Sequence, residues 1–212
     1  MWGIIMNRGW FIVFEGCDGS GKTTVSQGVY QKLIDKGYPV IYTREPGGID
    51  IAEQIRSVIL DPKNTAMDCR TEALLYAASR RQHLVQKVLP ALNEHKIVIC
   101  DRFLFSSLAY QGYARAIGVD EVLKINEFAI EGHMPDTTIF LDVLPEVGLS
   151  RIQTRAFKDR LDQENMDFHQ KVFDGYMQVN ERFSDAVVKF DANRTPEEII
   201  NDITNYIEEL VK

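Results

Sequence analysis

The residues WFIVFE at positions 10–15 run directly into GCDGSGKTT at positions 16–24. The first six are aromatic or β-branched apart from the closing glutamate, which is typical of a strand buried in a sheet. The second group fits the pattern GxxxxGK(S/T), in which glycines let backbone N–H groups close on phosphate oxygens before a helix begins. The sequence therefore predicts a strand, a phosphate-binding loop and a helix, with a nucleoside triphosphate as ligand.

Two side chains at the end of the loop have the chemistry that a triphosphate requires. Lys22 supplies a mobile positive charge, and the hydroxyl of Thr23 is a ligand for Mg²⁺. A purely structural glycine turn is the alternative, and the position between a strand and a helix argues against it. The predicted triphosphate-binding residues are Gly16, Cys17, Asp18, Gly19, Ser20, Gly21, Lys22, Thr23 and Thr24.

Length and composition indicate one globular domain. The chain has 212 residues, of which 45% are apolar and 26% charged, so we expect a single domain over 1–212 after a ragged start at 1–9. A net charge of -7 gives no basic surface for nucleic acid, which favours a mononucleotide substrate over a polymer.

The cysteines and the apolar runs bear on the compartment. Cys17, Cys69 and Cys100 are widely spaced and fit neither a metal site nor a disulfide framework, which suits the reducing cytoplasm. No apolar run approaches the roughly 20 residues of a membrane-spanning helix. We therefore expect a cytoplasmic protein without a membrane partner.

Strands and helices alternate along the rest of the chain. Further strands are predicted at 40–43, 97–100, 138–143 and 187–190, and helices at about 25–36, 51–60, 71–84, from 106, 120–130, from 145, 165–183 and from 196. Pro90 is expected to bend or divide the third helix, and Gly112 and Gly118 to flank a loop. The alternation predicts an α/β fold with a five-stranded parallel sheet covered by helices on both faces.

Charged residues follow two of these strands directly. Arg44 comes after the second strand, and Asp101 and Arg102 come after the third. Ligands of parallel α/β sheets bind beyond the carboxyl ends of the strands, where the phosphate loop also lies. An ion pair between Asp101 and Arg102 that only supports a loop is the structural alternative.

Six segments, in this order, resemble the bacterial thymidylate kinases of the P-loop nucleoside monophosphate kinase family. They are FEGCDGSGKTT at 14–24, TREPGG at 43–48, TEALLYAASR at 71–80, DRF at 101–103, SSLAYQG at 106–112 and RLDQE at 160–164. The resemblance implies a P-loop kinase fold that transfers the γ-phosphoryl group of ATP to dTMP with Mg²⁺, giving dTDP for dTTP synthesis. It also implies a homodimer and a mobile lid at about 150–162.

The resemblance also implies roles for residues around the acceptor. Asp18 would contact the sugar 3′-hydroxyl, Arg44 and Arg102 the acceptor phosphate, and Asp101 the metal. On the base side, the aromatic ring of Tyr76 would stack on thymine and Tyr110 would crowd C2′. The implied polar contacts to the base are Arg80, Ser107 and Gln111.

The lid is expected to supply a cation, because positions 17–20 of the phosphate loop contain no basic residue. By resemblance Arg155 is the first choice, which makes the implied catalytic set Lys22, Arg102, Asp18 and Arg155. Arg151, Lys158 and Arg160 remain open, in what we interpret as a mobile basic segment.

For several of these residues a purely structural role is the alternative interpretation. Tyr76 is alternatively a core aromatic, Ser107 and Gln111 solvated helix residues, and the basic segment a solvated face. A kinase for a nucleoside or another nucleotide is a second functional hypothesis, although paired arginines favour a phosphorylated acceptor. A nucleotide-switched GTPase or ATPase is a third, against which the chain has no convincing guanine-reading Asn-Lys-x-Asp motif. Acceptance of deoxyuridylate stays open as well.

Overall fold

A computed structural model describes residues 8–152, 159–161 and 163–212. In these residues five strands form one parallel sheet in the order β2-β3-β1-β4-β5. The strands are β1 Phe11–Glu15, β2 Val40–Arg44, β3 Ile97–Asp101, β4 Thr137–Asp142 and β5 Val187–Asp191. The predicted five-stranded parallel sheet is confirmed, and β1, which precedes the phosphate loop, lies at its centre.

Helices cover both faces of the sheet. They are α1 Lys22–Asp35, α2 Asp50–Leu60, α3 Cys69–His83, α4 Leu89–Asn93, α5 Leu104–Ser107, α6 Val119–Ile130, α7 Pro145–Ile152, α8 Met166–Arg182 and α9 Pro196–Leu210. None of the helices in the described ranges has the length and apolar character needed to cross a membrane.

Alternate residues of β1 point into two separate cores. Phe11 and Val13 pack into the core beneath α8, whereas Ile12 and Phe14 pack into the core beneath α1 and α9. Successive side chains of a strand point to opposite faces, so a strand covered on both sides is apolar throughout. This explains why the predicted strand reads as an unbroken apolar run.

The third helical region is not one regular α-helix, because it contains Pro90. After α3 the chain makes a wide π-helical turn at Leu84–Val88 and continues as α4, with Pro90 in its first turn. Proline has no N–H to donate and its ring collides with the carbonyl four residues earlier, and a widened turn accommodates both effects. The expected division at Pro90 therefore takes the form of a π turn within a continuous helical stretch.

The predicted loop between Gly112 and Gly118 is wrong in part. The helical chain after β3 begins at Leu104 and continues as a π-helical segment, Leu108–Ala114, so Gly112 lies within it. A Cβ at Gly112 would lie 3.0 Å from the Cα of Val119, which shows that the glycine permits a close packing of backbones. The loop therefore occupies only the residues between Ala114 and Val119.

The expectation of a ragged start is wrong for its described end. Residues 1–7 lie outside the described part of the chain. Arg8 donates from Nη2 and Nη1 to the carboxylate of Asp136 at 2.8 and 2.9 Å, and the Gly9 N–H donates to the Leu92 carbonyl at 2.7 Å. These contacts attach Arg8 to the residue before β4 and Gly9 to α4.

Candidate active site

A cavity of about 450 Å³ lies beyond the carboxyl ends of β1, β2 and β3. The phosphate loop forms one side of it, and the ends of β2 and β3 with α3 and the helical segment after β3 form the other. All eight residues implied for the acceptor side line this cavity, namely Asp18, Arg44, Tyr76, Arg80, Arg102, Ser107, Tyr110 and Gln111. From the phosphate loop Gly19, Gly21, Lys22, Thr23 and Thr24 line it as well.

The phosphate loop bends on glycines that no other residue could replace without strain. Gly19 has a φ of 75°, and a Cβ there would lie 1.9 Å from the carbonyl oxygen of Gly148 in α7. Its left-handed backbone and this close contact both require glycine. The loop is thereby packed directly against the helix that leads into the predicted lid.

Lys22 is buried at the floor of the loop and bonded to neutral oxygens. Its Nζ donates to the Cys17 carbonyl at 2.7 Å and to Ser20 Oγ at 3.4 Å. Burial, and after it the positive charge of Arg102, lowers the pKa of Lys22 to about 8. A phosphate anion would reverse this effect, because an opposite charge favours the protonated form.

The structure joins Thr23 and Asp101, the two predicted metal ligands. Thr23 Oγ1 donates to Asp101 Oδ2 at 2.6 Å. A hydroxyl and a carboxylate are oxygen ligands of the kind that Mg²⁺ takes, usually with phosphate and water oxygens completing its shell. The described residues contain no group of three His, Cys, Asp or Glu side chains that could hold a metal alone, so the pair fits an ion brought in with a nucleotide.

Arg102 pairs with Asp18 rather than with Asp101, so the alternative of an Asp101–Arg102 pair is wrong. Arg102 Nη2 lies 2.5 Å from Asp18 Oδ1, and Tyr110 Oη donates to Asp18 Oδ2 at 2.6 Å. Burial alone would raise the pKa of Asp18, but the charges of Arg102 and Lys22 hold it below its usual value. Asp18 is therefore a fixed carboxylate between the loop and the acceptor side.

The base side is a buried polar cluster around Arg80, which is 2% exposed. Arg80 donates to Glu45 Oε2 at 2.8 Å, to the Phe103 carbonyl at 2.7 Å and to Ser107 Oγ at 3.1 Å. It also bonds to Asn126. The guanidinium is thus fixed in one orientation at the cavity wall.

Ser107 and Gln111 are both buried, so the alternative that they are solvated helix residues is wrong. Gln111 donates from Nε2 to Glu72 Oε1 at 2.8 Å, which orients its amide. Tyr76 is half-buried and lines the cavity, and burial, followed by the charge of Glu72, raises the pKa of its hydroxyl. No hydrogen bond to this hydroxyl is found among the described residues.

Arg44 lies at the mouth of the cavity. Its Nη1 donates to the Pro46 carbonyl and its Nη2 to Glu53 Oε1, both at 2.8 Å. The carboxylate of Glu53 also accepts the Gly48 N–H at 2.7 Å, so the turn after β2 and the arginine share one anchor. Arg44 remains 39% exposed and can reach a ligand from this position.

The candidate lid cations separate into three cases. Arg155 and Lys158 lie outside the described residues. Arg151 is in α7 and lines the main cavity, with Nη1 3.4 Å from the Gly19 carbonyl and Nη2 3.1 Å from the Ala192 carbonyl. Arg160 is buried, donates to the Ile59 carbonyl at 2.8 Å and bonds to Glu72.

Arg160 belongs to a separate hollow of about 280 Å³, which it lines with Arg115 and Glu164. Arg151 is helical and exposed, but Arg160 is buried, so the alternative of a solvated face is wrong at Arg160. The cause is Glu72, a buried carboxylate that requires charged partners. Among the described candidates, Arg151 is the one at the phosphate loop.

A family model described as Thymidylate kinase matches residues 14–203. The chain belongs to the thymidylate kinase family. It is 56% identical over 206 residues to the thymidylate kinase of Bacillus velezensis, covering 96% of this chain and 97% of that one. It is 53% identical over 204 residues to the thymidylate kinase of Clostridium novyi, covering 95% and 100%.

A solved structure of the thymidylate kinase family agrees in fold. The crystal structure of thymidylate kinase from Ehrlichia chaffeensis superimposes with a TM-score of 0.76 at 31% identity, covering 94% of this chain and 98% of that one. The resemblance stated from six short segments is confirmed, and with it the P-loop kinase fold.

Sequence reasoning assigned no role to several residues that surround this thymidylate kinase site. Glu15, Glu45 and Glu72 are buried carboxylates, and each holds side chains that line the cavity. Glu15 had a detectable signal, since it is the one charged residue in an apolar strand. Asn126 and Tyr176 lie far along the chain, and no local pattern distinguishes them from ordinary helix residues.

Proposed function

We propose that this protein transfers the γ-phosphoryl group of ATP to dTMP, giving ADP and dTDP. The observation that carries the proposal is the arrangement of one cavity, with the phosphate loop on one side and Arg44, Arg80 and Arg102 on the other. Membership of the thymidylate kinase family supports the choice of dTMP as acceptor. A kinase for a neutral nucleoside would have no use for Arg44 and Arg102 beside an acceptor phosphate.

In this proposal the chain positions two anions and stabilises charge. The loop N–H groups and Lys22 hold the donor phosphates, and Arg102 and Arg44 orient the acceptor phosphate. A phosphate oxygen is already an adequate nucleophile, so we propose no general base and no phosphoenzyme. The charge of Lys22 would be stabilised most by the transferred phosphoryl group, because its hydrogen-bond partners in the protein are neutral.

We propose Thr23 and Asp101 as the residues that hold Mg²⁺ with ATP. Their oxygens lie 2.6 Å apart and fit the ligand preference of this ion. When bound, the ion neutralises charge on the phosphate oxygens. Arg155 remains the proposed lid cation, and Arg151 is the described alternative because it already lies at the carbonyl of Gly19.

Base recognition is proposed to rest on Tyr76 and the cluster around Arg80. The half-buried ring of Tyr76 would stack on thymine, and Arg80, Ser107 and Gln111 would present polar groups to its edge. The ring of Tyr110, held by Asp18, would lie against C2′ and disfavour a ribose hydroxyl. The 3′-hydroxyl of the acceptor sugar would contact the Asp18 carboxylate.

The test is an acceptor panel with ATP and Mg²⁺. Purified protein should phosphorylate dTMP far faster than thymidine, uridylate or guanylate. Arg80→Ala should weaken discrimination between dTMP and the other acceptors while the affinity for ATP is retained. A preference of the unmodified protein for any of the other three compounds would overturn the proposed acceptor, and stimulated ATP hydrolysis without an acceptor would favour a switch protein instead.

We also propose a homodimer formed by α2, α3 and α6. Exposed apolar side chains occur on all three helices, which pack side by side: Ile51 and Val58 on α2, Leu74 and Ala78 on α3, and Phe128 on α6. Phe128 is 90% exposed, which is costly for an aromatic ring in water. A second copy of the chain, with the same surface, would cover these residues.

Sedimentation tests the dimer. The unmodified protein should sediment as two chains, and Phe128→Glu should shift it to one. Ile34→Glu is the matched control, because Ile34 is also an exposed apolar residue but lies on α1. A single-chain species for the unmodified protein, or equal effects of the two substitutions, would contradict the proposed surface.

A cytoplasmic location is proposed from the substrates, which belong to DNA precursor synthesis.

A further inference from the structure

Arg102 has an unusual backbone conformation. In the proposed function the two substrates meet around this residue. Its φ is 70°, a left-handed conformation that a residue with a long side chain rarely adopts. Its N–H donates to the Phe14 carbonyl at 2.9 Å, which ties the bend to the central strand. A conformation of this kind persists only where the surroundings fix it.

We infer that Tyr176 and Glu15 are positioning residues that hold the Arg102 guanidinium from behind, so that its other edge faces the acceptor phosphate. The inference rests on the proposed contact of Arg102 with that phosphate. Neither Tyr176 nor Glu15 lines the cavity, so both act through Arg102 rather than on a substrate.

Tyr176 lies on α8 and is fully buried. Its hydroxyl accepts a hydrogen bond from Arg102 Nη1 at 3.0 Å and donates to Glu15 Oε2 at 2.9 Å. Ser106 makes the same two contacts, accepting from Arg102 Nη1 at 3.1 Å and donating to Glu15 Oε2 at 2.6 Å. Two hydroxyls therefore connect one guanidinium nitrogen to one carboxylate oxygen.

The proton inventory fixes the Arg102 end of this network. Arginine only donates, so both hydroxyls accept from Arg102 Nη1. The two hydroxyl oxygens also lie 2.8 Å apart, so each can give its proton to the other hydroxyl or to Glu15 Oε2. Glu15 Oε1 is occupied as well, by the N–H groups of Phe103 at 2.9 Å and Ser106 at 3.1 Å. The two hydrogen bonds from Arg102 Nη1 to these hydroxyls hold its guanidinium in one orientation, and the bonds to Glu15 hold the hydroxyls in place.

The two edges of the guanidinium have different surroundings. Nη1 is held by Tyr176, Ser106 and the Gly16 carbonyl, the last at 3.3 Å. Nη2 contacts Asp18 and lies 3.4 Å from Tyr110 Oη, and both of these residues line the cavity. Fixing Nη1 therefore directs Nη2 toward the substrates.

Tyr176 connects Arg102 to the helix that follows the predicted lid in sequence. This helix begins at Met166, directly after the region of the predicted lid, and Tyr176 is its contact with Arg102. The acceptor-side arginine is thereby held by the helix that follows the donor-side lid, in one continuous piece of chain.

Steady-state kinetics of Tyr176→Phe tests the inference. The substitution removes one oxygen and keeps the ring, which packs 5.3 Å from Phe140 between centroids. We expect kcat/KM for dTMP to fall about 10-fold, as for loss of one hydrogen bond to a charged group, with KM for ATP within about twofold of the original. Tyr206→Phe is the matched control, because Tyr206 also bonds through its hydroxyl, 3.1 Å from Thr137 Oγ1, but contacts no site residue.

Three outcomes overturn the inference. Unchanged dTMP kinetics in Tyr176→Phe, or equal losses for dTMP and ATP, would show that the hydroxyl does not position Arg102. Failure of Tyr176→Phe to fold would assign the hydroxyl to stability instead. Arg102→Ala separates this from the proposed function: if that variant keeps normal dTMP kinetics, the proposed role of Arg102 is itself wrong.

Discussion

Replacement of Lys22 by methionine should change how the stability of the protein depends on pH. The pKa of Lys22 is lowered from 10.5 to about 8, chiefly by burial and then by the charge of Arg102. Between these two pKa values the unfolded chain binds more protons than the folded chain, so the free energy of unfolding rises with pH. The stability that depends on this pKa difference is fully present above pH 10.5 and is lost as the pH falls through 8.

The size of the effect follows from the two pKa values. Their difference of about 2.5 corresponds to a limit of about 3 kcal/mol, and between pH 7 and pH 9.5 the linkage relation gives about 2 kcal/mol. Lys22 is only 6% exposed, so solvent screening reduces this figure little. Methionine has a similar length and no charge, and it therefore lacks the whole increment.

Urea unfolding of the protein and of Lys22→Met at both pH values, with a chelator and no nucleotide, measures the increment. The stability of the unmodified protein relative to the variant should rise by about 2 kcal/mol from pH 7 to pH 9.5. Other titrating groups occur in both proteins and cancel in this comparison. A difference that stays constant or falls over this range would refute the explanation that Lys22 is charged at a cost in the empty site.

Three further predictions concern other parts of the molecule. Gly148→Ala should raise KM for both ATP and dTMP about 10-fold, since its Cβ would lie 2.4 Å from the carbonyl oxygen of Asp18, which faces both substrates, and overpacking costs about 1–3 kcal/mol; unchanged KM values would contradict this. A thiol reagent at pH 8 should modify half-exposed Cys69 and spare Cys17, because burial raises the pKa of the Cys17 thiol to about 12; mass spectrometry of Cys69→Ser should show no fast labelling. Thr195→Ala should lower the free energy of unfolding by about 1 kcal/mol without changing kcat, since Thr195 and Glu198 form the capping box of α9; an unchanged urea midpoint would exclude the capping contribution.

The fold was predictable because its signals are local. The apolar runs at β1 and β3 and the glycine pattern between residues 16 and 21 arise from neighbours in sequence, and they identify a parallel sheet with a phosphate loop. The capping box at Thr195 is likewise contained in four residues, and it is confirmed. The π turn at Leu84–Val88 was not predictable in form, because proline requires a disturbed helix without specifying which one.

Many residues that line the cavity were predictable, but their pairing was not. All the acceptor-side residues implied by resemblance line one cavity, yet no local pattern pairs Arg102 with Asp18, 84 positions away. Arg160 illustrates the same limit, since its burial depends on Glu72, 88 positions away. A charged side chain in a basic stretch is exposed or buried according to whether a distant carboxylate meets it, and composition carries no information about that meeting.

The pairing pattern explains why the lysine and the arginines of this site differ. Among the described residues each acceptor-side arginine has a carboxylate partner: Asp18 for Arg102, Glu53 for Arg44 and Glu45 for Arg80. These partners fix the guanidinium groups before the acceptor arrives, and they offset the cost of burying positive charge. Lys22 instead bonds to a carbonyl and a hydroxyl, and burial lowers its pKa. The arginines are therefore built for orientation, whereas Lys22 has no carboxylate among its hydrogen-bond partners, and donor phosphates would supply an anionic one.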